Sequence, residues 1–218
     1  MEPNLDRAAS LALETLLKND ISSAPIMPLP ILKKTPGVLV ISFAQMSQET
    51  GIARREILDC FGENQDAATF LLQNSRVRYV VAINQSLPLV IVQRAAAREL
   101  GHILLGHDGS RPESVRMAEA TCFAQHFLCP RPLIASLRDS GVAITKNVLY
   151  NVTGSDDRCL ACMKVAPGAR VPAELNRAVR DLFAGYVENF AAYKRSVEDG
   201  SSAVDLGSFM DGYEEGNL

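Results

Sequence analysis

The stretch Leu89–His107, LVIVQRAAARELGHILLGH, constrains this chain more than any other. It reads as one long helix, entered at Pro88 and stopped at Gly106 or Gly109. A helix that is apolar nearly all round is a buried one. Arg98, Glu99 and His102 are its main polar interruptions, and they fall within five positions. Buried charges are very costly unless they are paired, so these side chains require partners. A cluster of that kind in a core helix marks a site.

The spacing suggests what sort of site. In the motif H-E-x-x-H two histidines lie four apart on one helical face and share a zinc, while the glutamate between them polarises a water. Here Glu99 and His102 stand in place and Arg98 occupies the first histidine position. Arginine stays charged and has no lone pair to offer, so it cannot ligate a metal.

Composition adds few constraints. Of 218 residues, 47% are hydrophobic and 22% charged, the net charge is −3, and no apolar run approaches a membrane span. Five cysteines without framework spacing fit a reducing compartment, and the N-terminus lacks the pattern of a secretory signal. A cytoplasmic location is therefore expected.

Taken in order, the chain opens with an amphipathic helix in which Leu5, Ala9, Leu13, Leu16 and Leu17 share a face. A proline-punctuated loop with one short helix leads to a strand, Gly37–Phe43. Residues 53–62 read as a helix stopped by Gly62, and Thr69–Gln73 and Val77–Asn84 as two strands joined at Asn74-Ser75-Arg76. After the central helix a second one is expected from Glu113 to Cys129, ended by Pro130 and Pro132. Short helices follow, then one long closing helix from Pro172 to Ser196. The predicted class is α+β, with a three-stranded sheet covering one side of two central antiparallel site helices. The predicted division is a core over 1–130, a helical subdomain over 131–196 and a disordered tail over 197–218. That tail carries six acidic residues and no Lys or Arg.

The text RELGHILLGH (98–107) followed by EATCFAQHFLCP (119–130) resembles the ImmA/IrrE family of cytosolic zinc metallopeptidases. The likeness covers about residues 4–190. It implies a zincin-like core and a function in cleaving DNA-binding repressors. In that family paired histidines and a glutamate of the second motif hold zinc, and the glutamate of the first motif is the base. With Phe123-Ala124 and Pro130 fixing the register, Met117 falls on the ligand glutamate and Glu119 on the position two further along. Glu119 is roughly 200° round the helix from Met117, so it does not stand in easily. Arg98 and Met117 thus replace two of three ligands and His102 remains; a thioether is a poor zinc ligand. Glu99 keeps the base position.

The two exchanges look coupled. Zinc plus one ligand carboxylate carries +1, and so does Arg98 beside neutral Met117. Arg98 is therefore expected to substitute for the cation, paired with Glu99 or Glu119. The resemblance then implies a degenerate peptidase fold without zinc that binds a protein partner, such as a repressor, with no membrane or nucleic-acid role. Two alternatives stand beside it. One is a working zinc endopeptidase with non-standard ligands; the other is a DNA-binding regulator using the helix-turn-helix-like segment 145–164.

Other signals read more plainly. His107, roughly 140° from His102, is expected to cap the helix end. His126, on the stripe of Glu119, is expected on an exposed polar face. Cys159 and Cys162 form a lone CxxC, expected to pack a short helix. In residues 131–180 basic residues outnumber acidic ones eight to four, short of a dense phosphate-binding patch.

Overall fold

The computed structural model describes residues 2–60, 66–73, 76–154 and 169–198, and these form an α+β protein. Helix α1 (Leu5–Lys18) begins where the Asn4 side chain accepts the Arg7 N–H at 3.0 Å, and it buries Ala8, Ala9, Ala12, Leu13 and Leu16 completely. Helix α2 (Pro28–Lys34) uses Pro28 as its first residue, where a missing N–H costs nothing.

Strand β1 (Val38–Ser42) runs directly into α3 (Phe43–Thr50). The junction is a capping box: Ser42 Oγ accepts the Gln45 N–H at 3.0 Å, and Gln45 Oε1 accepts the Ser42 N–H at 2.8 Å. Helix α3 is absent from the sequence expectation, although Ser42-x-x-Gln45 carries its signature. Helix α4 (Arg54–Cys60) follows, and its expected stop at Gly62 lies outside the described residues.

Strands β2 (Ala67–Leu71) and β3 (Tyr79–Ile83) pair antiparallel, and β1 joins β3 parallel, giving the order β1-β3-β2. Most of the turn expected between β2 and β3, Asn74 and Ser75, also lies outside the described residues. Helix α5 (Leu89–Leu104) packs on β2 and β3 and against α6 (Glu113–Leu128). Helix α6 is held between α5 and α1. The two site helices approach closely at Gly101, where an added Cβ would lie 3.0 Å from Phe123 Cδ1.

Helices α7 (Arg131–Asp139), α8 (Lys146–Thr153), α9 (Ala173–Leu182) and α10 (Ala184–Glu198) complete the described chain. The long closing helix expected from Pro172 to Ser196 is two helices, interrupted at Phe183. Phe183 is fully buried beside Val179 and Val187, and Gly185 in the first turn of α10 weakens helical continuity. One apolar core runs from Ala8 through Phe123 and Leu133 to Ala191, so packing continues across the boundary expected at residue 130. Among the described residues no helix is long and apolar enough to cross a membrane. The acidic tail from 199 onward, Cys159, Cys162 and the second half of the 145–164 segment lie outside the described residues; only α8 of that segment is seen.

Candidate functional site

A cleft of about 390 Å³ opens between β2, α5, the loop after α5 and the first half of α6. Its walls include Thr69, Arg98, Glu99, His102, His107 and Met117. Arg98 and Met117, far apart in sequence, therefore meet the same space as Glu99 and His102.

Arg98 sits on the sheet side of the cleft with its guanidinium fully engaged. Its Nη2 and Nη1 donate to Asp66 Oδ1 and Oδ2 at 2.8 and 3.3 Å, while Nε and Nη2 donate to Glu99 Oε1 at 3.3 and 3.2 Å. The two-pronged contact to Asp66 is the stronger one, matching the planar fork of arginine to a carboxylate. Sequence reading places Glu99 or Glu119 opposite Arg98. Glu99 is there, but Glu119 is not, and the main partner is Asp66. Burial opposes charge on both members, yet the pairing prevails: Arg98 is held more firmly protonated than usual, and the Asp66 carboxyl is held below its usual range. Arg94 adds a weaker contact to Asp66 at 3.6 Å.

Glu99 is 4% exposed, and each of its carboxylate oxygens already accepts a hydrogen bond. Arg98 donates to Oε1, and the Thr69 hydroxyl donates to Oε2 at 2.7 Å. Burial lifts its carboxyl above the usual range, with Arg98 and Thr69 pulling the other way. Glu99 is thus an acceptor engaged by its neighbours.

A second network lies deeper. Helix α5 ends in a Schellman motif: Gly106 takes φ 68°, its N–H bonds Ile103 O at 3.1 Å, and the His107 N–H bonds His102 O at 3.0 Å. The left-handed turn, which glycine adopts at no steric cost, folds His107 back over the helix. The two imidazoles then meet, Nδ1 to Nδ1, at 2.9 Å. His107 Nε2 lies 2.8 Å from Glu119 Oε2, and Glu119 also accepts from Arg111 Nη1 at 3.1 Å and from the Asn4 backbone N–H at 2.7 Å. His107 is therefore more than the helix cap expected from its position. Its backbone closes the helix, but its ring bridges His102 and Glu119, the side chain only 2% exposed.

Protonation follows from this geometry. The two facing Nδ1 atoms share one proton, and the other His107 nitrogen, Nε2, faces Glu119. Burial, then His107, Arg98 and Arg116, push His102 down to about 3, so it is neutral at physiological pH. For Glu119, burial acts to raise the carboxyl, but the Asn4 N–H, His107 and Arg111 together hold it below the usual range. Glu119 is 2% exposed and stands behind His107.

Of the side chains that line the cleft, His102 carries ring nitrogens, Met117 a thioether and Arg98 a cation, and a guanidinium cannot ligate a metal. Among the described residues no group of three or more His, Cys, Asp or Glu side chains is arranged to hold a metal ion.

His126 departs from expectation in the opposite sense. It is 3% exposed, because α6 is covered by α1 on one flank and α5 on the other. Asp66, Thr69, Arg111 and Asn4 carry no local sequence signal for the site. They come from loops, a strand and the N-terminal segment, and only Gly106, as a helix stop, hinted at the placement of His107. The chain matches no family model, no curated protein and no solved structure in comparisons with each.

Proposed function

We propose that this chain is a peptidase-fold protein of the ImmA/IrrE kind in which a buried arginine replaces the catalytic metal, so that its cleft binds a protein segment without cutting it. The observation that carries this reading is Arg98, whose three guanidinium nitrogens are all bonded to Asp66 and Glu99. The same contacts occupy the carboxylate that would act as base, so neither half of a metal-activated water remains. The Glu119–His107–His102 chain and the Arg98 cluster then fix the cleft walls rather than drive a reaction.

Partner binding is supported by the neighbouring sheet edge. Strand β2 is an edge strand, Leu71 lines the cleft, and Leu71 and Leu72 are exposed. An extended segment of a partner can pair with such an edge and lay alternate side chains into the cleft. The likeness at 98–107 and 119–130 points to a repressor-type DNA-binding protein in the cytoplasm as that partner.

The test is zinc analysis of the purified, dialysed protein together with incubation with an unstructured protein substrate. The expected result is no stoichiometric zinc and no cleavage. One zinc per chain with hydrolysis that a chelator abolishes would instead establish a working endopeptidase, with His102 Nε2 as one ligand.

A further inference from the structure

The sheet has two faces, and on one of them the helices stop short. Thr69 reaches Glu99 on α5, so Thr69 and its alternates along β2 face the central helix. The opposite face follows from register: Leu39 pairs with Val80, and Val80 with Phe70. One row along, Ile41 and Ala82 pack with Phe43 and Ile57, so α3 and α4 cover that end. The other end is barer. Leu39 is 45% exposed and Leu72 40%, with half-buried Val80 beside them and Phe70, which has contacts of its own, at the border. The Leu72 N–H bonds Arg78 O at 2.8 Å, so Arg78 lies across from Leu72.

The rim of this patch is basic. Arg76 and Arg78 are exposed beside Gly37, where an added Cβ would lie 3.6 Å from Arg78 Cβ and 3.8 Å from Arg76 O. Lys33 and Lys34 are exposed in the last turn of α2, which packs on β1. Residues 32–40 and 67–80 contain no Asp or Glu, and none of these four cations has a carboxylate partner among the described residues. An apolar patch rimmed by one sign of charge fits a segment that is apolar and of the opposite sign. The chain carries such a segment. Residues 199–218 combine five acidic residues with Leu206, Phe209, Met210 and Tyr213, and they contain no Lys or Arg. Reach permits the contact. From Glu198, where α10 ends, to Phe209 the extended chain spans about 36–40 Å, more than twice the radius of gyration of about 16 Å expected for a domain of this length.

We propose that the acidic segment 199–218 docks on its own chain, with Phe209 and Met210 on the Leu39–Leu72 patch and its carboxylates against Arg76, Arg78, Lys33 and Lys34. The segment then covers the bare end of the sheet. This contact does not depend on the reading of the cleft.

The chain has no tryptophan, so Phe209→Trp in the full chain supplies a single fluorescent reporter. Its quenching by acrylamide is expected to be at least about threefold weaker in the native protein than in denaturant, because the ring is covered. Two further changes, each made in the reporter chain at an exposed position, separate the contributions. Leu72→Ser removes apolar surface and Arg78→Glu reverses a charge; each should abolish at least about half of the protection. A salt series on the reporter chain with the patch intact needs neither variant to fold: quenching should rise as sodium chloride is raised from about 0.01 to about 0.15 M, where screening shortens from about 30 to about 8 Å. A tryptophan as exposed in the native protein as in denaturant overturns the proposal and leaves the face to a separate partner. Protection that rises with protein concentration also overturns it, since the cover is then a second copy. So does protection unchanged in the folded variants, or indifferent to salt.

Discussion

Arg98 and His126 are both polar side chains buried in the same helical core, one on α5 and one on α6. All three guanidinium nitrogens of Arg98 reach carboxylates, whereas Nε2 of His126 reaches nothing among the described residues. The first cluster carries its own counter-ions. The second leaves one buried nitrogen without a partner among the described residues. The two burials therefore differ in how their polar atoms are satisfied.

The largest effect should come from opening the satisfied cluster. Arg98→Met removes the cation and leaves Asp66 and Glu99 facing each other in a buried space, which is expected to cost about 3–5 kcal/mol in denaturant unfolding. Arg94 remains near Asp66, which favours the lower end. A loss under about 1 kcal/mol, the scale of an exposed pair, would mean that the cluster is effectively solvated.

The orphaned group should reveal itself through acid. His126 has a folded-state value of about 4 against an ordinary 6.5. Between those values the unfolded chain binds a proton that the folded chain does not, so stability falls as pH falls through that window. The slope due to this ring approaches about 1.4 kcal/mol per pH unit and vanishes above the ordinary value. His126→Leu should lack that part of the slope. Identical pH dependence of native and variant stabilities from pH 7 to 4 would show that the ring is solvated or already partnered.

A smaller effect belongs to Thr69→Val, which keeps the shape of the side chain and removes the donor to Glu99. It should cost about 1 kcal/mol, measured by chemical denaturation. His126→Leu at pH 7 should be neutral or stabilising within about 1 kcal/mol, because it removes a polar atom that had no partner. A cost of several kcal/mol there would reverse the contrast between the two regions.

The legibility of these regions in the sequence differs for physical reasons. The Arg98, Glu99 and His102 cluster is local to one helix, and helical spacing alone brings it together. Asp66 lies before an edge strand in a segment with no periodicity, and only the sheet packing on α5 carries it to Arg98. The strand order likewise comes from tertiary pairing, although the strands themselves are legible as short apolar runs. His126 departs from the exposed face expected of it, because a helix packed on both flanks leaves a polar stripe little surface to occupy. The break at Phe183 is not legible, because the apolar spacing of α9 and α10 continues across it. His107 needed two steps: a glycine turn, which is legible, and a buried Glu119 to receive the ring, which is not.

The central claim is that Arg98 and Met117 together stand where a metal site would be, and a set of four proteins tests it. These are the native chain, Arg98→His, Met117→Glu and the double variant, each melted with and without added zinc. Arg98→His alone should be destabilised, because it strips Asp66 of its fork and supplies only two histidines, short of the three protein ligands of a catalytic zinc. Met117→Glu alone should show no zinc response. The double variant places two histidines and a glutamate around the cleft that already holds Glu99, and zinc should raise its melting temperature where it leaves the native chain unchanged. If zinc stabilises the double variant no more than the native chain, Arg98 and Met117 do not share a metal position, and the substituted-cation account fails.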